Sequence, residues 1–172
     1  MKGVIAVCLK DLVCNKFGED KWEQAVKAAG MEKSGIILPL SDVDDKDVLS
    51  LVKEVCNVLG ITLEQAADAF GDYWVNVYSQ KIYGLYYRGK TAKEFLLAMD
   101  KVHDQVTHDM KNAHPPHFTY EWENDNRLIM KYFSERGLID FLVGLIRGVG
   151  KFYDEPMTVK KLNNQEVRVD FQ

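Results

Sequence analysis

The chain has 172 residues, 47% of them hydrophobic, and a net charge of −4. That size suits one domain with a sizeable core, and that composition excludes a disordered tail. An acidic balance argues against nucleic acid as a main partner, because neutralising phosphates needs a basic face.

The opening "MKGVIAVCLKDLV" is apolar, but Lys10 and Asp11 interrupt it early. Neither a signal peptide nor a membrane span is expected, and no membrane partner. Cys8, Cys14 and Cys56 are scattered without a CxxC pair, which suits a reducing, cytoplasmic setting. "GVIAVCLKDLVCNKFG" predicts a helix with Ile5, Cys8, Leu9, Leu12 and Val13 on one stripe and a stop near Gly18. "EDKWEQAVKAAG" and "DDKDVLSLVKEVCNVLG" predict two more helices, each acidic at its start and closed by glycine. "TLEQAADAFGDYWVNVYSQ" opens with a capping box, Thr62 with Gln65. "TAKEFLLAMDKVHDQVTHDM" opens with another, Thr91 with Glu94. Pro115 and Pro116 end the helical run. Beyond them the pattern predicts a hairpin ("HFTYEWE", turn "NDN", "RLIMKYF"), an apolar helix ("GLIDFLVGLIRGVGKF") and a second hairpin ("MTVKKL", turn "NNQ", "EVRVDF"). Helices first and strands later predict an α+β fold with a small antiparallel sheet.

Several residues stand out chemically. His103 falls among Phe95, Leu96, Met99, Val106 and Met110, which recur at helical spacing. That places an imidazole in an apolar stripe, which suits a core histidine bonded to backbone or a ligand for iron. On the strand "RLIMKYF" and beyond it, alternation puts Leu128, Met130, Tyr132, Ser134 and Arg136 on one face. A phenol, a hydroxyl and a guanidinium at its end make either a solvated strand end or an anion clamp. His108, His114 and His117 offer a rival zinc site, although no geometry for it is legible. In "YWVNVYSQKIYGLYY", Trp74 and Tyr78 share a helical face, and in "IDFLVGLIRG" so do Phe141 and Leu145. Core packing explains these rings equally well.

Together these residues resemble the H-NOX family (haem nitric oxide/oxygen binding domains). The likeness runs from "MKG" through "MDKVHDQV", "HPP" and "YFSER", which matches the family's Y-x-S-x-R, to "FLVGLIRG". The resemblance implies a single sensor domain over 1–172, with an N-terminal helical lobe at 1–60 and a haem-ligating lobe at 61–172. It implies haem b (iron protoporphyrin IX) buried between them. His103 matches the proximal iron ligand. Tyr132, Ser134 and Arg136 match the propionate clamp, and Pro116 the proline that bends the haem. Ile5, Trp74, Tyr78, Phe141 and Leu145 match the distal pocket. Members that hold oxygen carry a tyrosine where Phe141 stands, so the likeness implies a ferrous sensor of NO, and of CO, without stable oxygen binding. For that, the donors of Trp74 and Tyr78 are expected to turn toward backbone acceptors. The resemblance implies no enzyme activity, and output to a separate protein such as a histidine kinase or a cyclic-di-GMP enzyme. A haem peroxidase, or a non-haem module for an apolar anion, is the alternative. The peroxidase would need a distal acid–base pair, which these residues lack.

Overall fold

The computed structural model describes residues 1–32 and 36–172. They divide into two compact units: Met1–Ala66 with Met110–His114, and Ala67–Asp109 with Pro115–Gln172.

The first unit is helical. It holds α1 (Val4–Phe17), α2 (Glu19–Ala28), α3 (Asp45–Leu59) and the start of α4 (Leu63–Tyr73). Gly18, at φ 97°, lets α2 begin one residue after α1 ends. The Asp44 carboxylate accepts from Lys46 N at 2.8 Å and caps α3, and left-handed Gly60 closes it. Leu9, Leu12 and Val13 of α1, Trp22 and Ala25 of α2, and Val48, Leu51 and Val55 of α3 are buried. The predicted capping box at Thr62 forms: Gln65 N donates to Thr62 Oγ1 at 3.2 Å, and Thr62 N to Gln65 Oε1 at 2.9 Å. Asn112 joins this unit by donating to Asp42 at 3.0 Å.

The second unit is built on an antiparallel sheet. Strands β1 (His117–Asn124), β2 (Arg127–Phe133), β3 (Met157–Lys161) and β4 (Glu166–Phe171) lie in the order β1-β2-β4-β3. Both hairpins form where alternation and turn residues predict them. Met130 pairs with Val167, and Val159 with Val169. β2 is an inner strand, so Ile129 is buried as well as Leu128 and Met130. Removing a side chain such as Leu128 would cost about 2–5 kcal/mol through lost burial and a residual cavity. Helix α8 (Ile139–Tyr153) buries Ile139, Leu142, Val143 and Ile146, and Lys161 of β3 grips its Asp140 at 2.8 Å.

Two predicted helices are interrupted. The run from Thr91 becomes α6 (Ala92–Leu97) and α7 (Met99–Thr107). The break falls at Ala98, whose N–H is shared by the Glu94 and Phe95 carbonyls, both at 3.1 Å. Phe95 and Leu96 on α6 are buried, α7 buries no residue fully, and Met110 lies past its end. The continuous apolar stripe expected through His103 is therefore absent. The run from Thr62 becomes α4, a π-helical turn over Trp74–Tyr78, α5 (Ser79–Tyr83) and a 3₁₀ turn over Gly84–Tyr86. The Ser79 N–H reaches back five residues to Trp74 O. Side chains serve carbonyls here, with Asn76 donating to Asp72 O at 3.1 Å and Gln80 to Val75 O at 2.7 Å.

The contact of α4 and the π turn with α8 is made backbone to backbone. A Cβ at Gly144 would lie 2.1 Å from Ala67 O, and one at Gly71 would lie 2.1 Å from Gly144 C. Glycine is required there by close approach. Asn76 also donates to Gly148 O at 3.3 Å, and Arg147–Asp68 and Lys151–Asp72 ion pairs flank the crossing. Exposed pairs of that kind contribute little each, so closeness of the glycines sets the geometry.

Candidate functional site

All but one of the sequence-predicted site residues lie in the second unit. The exception, Ile5, is a half-buried residue in the first turn of α1.

His103 sits mid-way along α7, half-buried. Its Nδ1 lies 3.2 Å from Pro116 O. A carbonyl only accepts, so Nδ1 carries the proton and Nε2 keeps its lone pair. Burial pushes the imidazolium pKa down. The Pro116 carbonyl and the Asp100 and Asp104 carboxylates oppose this without reversing it. The neutral, ligand-competent ring is favoured. The apolar surroundings come from elsewhere than α7: the Phe118 ring stands 5.6 Å away, and Tyr132 lies 6.0 Å beyond Phe118.

Asp100, one turn before His103, explains how Pro116 is held there. Its Oδ1 accepts from Phe118 N at 2.9 Å and from His117 Nδ1 at 3.2 Å. This ties α7 to the start of β1. The sequence offered a signal for it, since Asp100 and His103 are three apart on a helix, but nothing there pointed to Phe118 N.

Tyr132 is on β2, its ring buried and paired in register with Phe118. Its hydroxyl has no hydrogen-bond partner among the described residues. Ser134 and Arg136 are not on the strand. β2 ends at Phe133, and both residues belong to the turn that follows, so the predicted alternation stops at Tyr132. The turn folds locally, with Arg136 N donating to Ser134 Oγ at 3.3 Å. That bond uses a lone pair of the hydroxyl and leaves its proton to donate elsewhere.

A second set of rings forms where α4, the π turn and α8 meet. Phe141 meets Phe70 edge-on at 5.4 Å. Phe70 stacks on Trp74 at 6.0 Å, and Trp74 on Tyr78 at 5.7 Å. Trp74 and Tyr78 thus share a face, but through a π turn rather than an α-helix. Phe70 was missed by sequence reading, although Phe70, Trp74 and Tyr78 are spaced four apart. Leu145 is half-buried against the core that α8 shares with the sheet. The Trp74 indole N–H makes no hydrogen bond among the described residues, contrary to the backbone partner expected for it.

The rival zinc site is not assembled. Among the described residues no three of His, Cys, Asp and Glu converge. Nor do the rings beside Phe141 include a His–Arg pair. The donor set near His103 fits haem: a neutral imidazole nitrogen, a partnerless buried phenol, a hydroxyl and a guanidinium suit an iron centre that carries carboxylates.

The description "Haem-NO-binding" belongs to a family model that matches residues 2–161. Among solved structures, a Cs H-NOX mutant bearing 4-cyano-L-phenylalanine is 27% identical, with TM-score 0.89 and coverage of 100% of this chain and 97% of that one. An oxygen-binding H-NOX domain related to soluble guanylate cyclases, in its oxygen complex, is 27% identical with TM-score 0.84, covering 100% and 95%. Curated relatives include soluble guanylate cyclase gcy-35 of Caenorhabditis elegans, 27% identical over 99% of this chain and 26% of its own length. Soluble guanylate cyclase gcy-34 of the same organism is 30% identical over 88% of this chain and 23% of its own length. The chain spans about a quarter of the length of these relatives. Fold and match define the class, a haem-binding α+β domain related to guanylate cyclase gas sensors. The chain belongs to the haem-NO-binding family, the H-NOX domains.

Proposed function

We propose that this chain is a sensor of NO and CO carrying haem b. The observation that supports it most is the His103 tautomer, fixed by Pro116 with Nε2 left to bind iron. When bound, ferrous haem supplies an open coordination position for a diatomic gas. Every other task falls to the chain. His103 is the axial ligand. Arg136, Ser134 and the Tyr132 hydroxyl hold the propionates by charge-assisted hydrogen bonds. Pro116 presses on the haem and distorts it. Phe141, Trp74, Tyr78, Leu145 and Ile5 exclude water on the gas side.

Oxygen is the discriminating ligand. Bound oxygen carries more negative charge on its outer atom than CO or NO does, so a donor in a dry pocket favours it selectively. Phe141 has no donor to offer. The Trp74 indole N–H, without a partner in the described protein, is the group to watch. We propose that output passes to a separate effector, a histidine kinase or a cyclic-di-GMP enzyme in the cytoplasm, and that the domain itself is not catalytic.

The test is purification from haem-replete cells, with ferrous spectra taken under NO, CO and air. A Soret band that shifts with NO and CO, and oxidises in air without an oxy form, is expected. No Soret band would end the haem reading. A stable oxy spectrum that is lost in Trp74→Phe would replace the NO/CO reading with oxygen binding.

A further inference from the structure

One surface of the second unit has a charge opposite to that of the chain as a whole. From Tyr73 to Lys93 there are four cations, Lys81, Arg88, Lys90 and Lys93, and no aspartate or glutamate, in a chain of net charge −4. The tip of this segment also shows apolar side chains to solvent. Ile82 is 52% exposed and Leu85 75%. They lie three apart where α5 runs into the 3₁₀ turn, a spacing that puts two side chains on one face. Lys81 and Arg88 are exposed beside them, and Tyr83 and Tyr86 are half-exposed. Lys90 is drawn in as well, its Nζ donating to Tyr86 O at 2.8 Å.

We propose that this tip docks peripherally on an anionic membrane surface. Ile82 and Leu85 enter the headgroup boundary, and Lys81, Arg88 and Lys90 face lipid phosphates and carboxylates. The argument is charge complementarity. An acidic protein as a whole is repelled by an anionic bilayer, so a local surplus of cations has to select the docking face. Apolar tip, basic flanks and tyrosines together are the composition of interfacial anchors. The molecule contains its own contrast. Ile36, Leu38 and Leu40 are 89%, 60% and 70% exposed. They run, however, into Asp42, Asp44, Asp45 and Asp47, which an anionic surface repels. Docking needs no spanning segment, and among the described residues no helix is long and apolar enough to cross a membrane. Behind the tip, the Tyr83 ring lies 6.5 Å from Trp74. Docking would therefore set the aromatic wall toward lipid, where small apolar gases concentrate. That consequence rests on the gas-sensing reading, whereas docking itself does not.

The test is co-sedimentation of the full chain, with or without haem, using vesicles of phosphatidylcholine alone or mixed about equally with phosphatidylglycerol. Binding to the mixed vesicles only is expected, and it should fall as salt rises, since screening acts within about 8 Å at 0.15 M. Each basic residue near such a surface is worth about fivefold. Lys81→Gln with Arg88→Gln should therefore weaken binding roughly 25-fold. Leu85→Gln should weaken it about tenfold or more, given the value of burying one leucine, and Leu38→Gln should leave it unchanged. All four sites are exposed, so melting curves should match wild type. Equal sedimentation with neutral vesicles, no sedimentation with either, or full binding by the double variant each overturns the proposal. Loss of the Soret band without loss of vesicle binding would instead strike only the gas-sensing reading.

Discussion

Replacing Gly144 by alanine probes the crossing on which the aromatic wall is built. The new Cβ would lie 2.1 Å from Ala67 O, 2.6 Å from Ala67 C and 3.0 Å from Asp68 N. All three are backbone atoms, so no side chain can swing aside, and α4 has to retreat by about an ångström to restore van der Waals contact. Overpacking of this kind costs about 1–3 kcal/mol, and the hard contact places it at the upper end. Alanine returns about 0.8–1 kcal/mol through its higher helix propensity. The net loss is about 2 kcal/mol, or roughly 4–8 °C in Tm for a chain of this size. Urea titration is the assay, and the midpoint should fall with the slope unchanged. Gly84→Ala is the control. Its nearest outside atom, Gln80 Oε1, would stand 3.5 Å away, and its backbone is already right-handed helical, so it should be neutral or slightly stabilising. A Gly144→Ala protein that melts at or above wild type would refute the reasoning.

Other outcomes follow from the proposed site and from two phenols. His103→Ala should lose its protein–iron bond, and added imidazole should restore a ligated spectrum; an unchanged ferrous spectrum would exclude His103 as ligand. Arg136→Ala should release haem to an acceptor protein roughly tenfold to a hundredfold faster, because a charge-assisted hydrogen bond contributes about 1.5–3 kcal/mol. Phe141→Tyr should raise oxygen affinity, read as a longer-lived oxy spectrum in air. Tyr120, whose hydroxyl donates to Leu96 O at 2.9 Å, and Tyr153 have phenol pKa values pushed up to about 12, chiefly by burial. Unfolded tyrosine ionises near ~10. Their contribution to stability is therefore full below that value and is lost as pH rises toward about 12. Phenolate absorbance should show two late-titrating tyrosines, with Tyr120→Phe removing one.

What could be read in advance divides along physical lines. Helix ends marked by local chemistry, such as Thr62 with Gln65 and Thr91 with Glu94, were legible because a cap is a contact between near neighbours. The hairpins were legible because alternation and turn residues are equally local. Tertiary demands were not. The helix from Thr91 reads as continuous, yet Phe95 and Leu96 turn into the core and the segment carrying His103 does not. The alternation through Tyr132 looks as if it runs on to Arg136, but pairing on β2 stops at Phe133, and pattern alone cannot show where a partner strand ends. Within the candidate site, His103 and Tyr132 carry their own signals. Asp100 and Phe70 do not, because their roles depend on β1 and α8, remote in sequence.

The π turn from Trp74 to Tyr78 holds one residue more than an α-helix would spend there. In a helix each residue turns the chain by about 100°. A deletion anywhere in those five positions would restore regular hydrogen bonding, yet it would rotate all that precedes the cut against all that follows. Phe70 and Tyr78 would then point in different directions, and the rings between α4 and α8 would lose their common face. In related chains this segment has to be aligned by that surplus residue. A one-residue gap placed here would mean a different wall rather than a shorter helix.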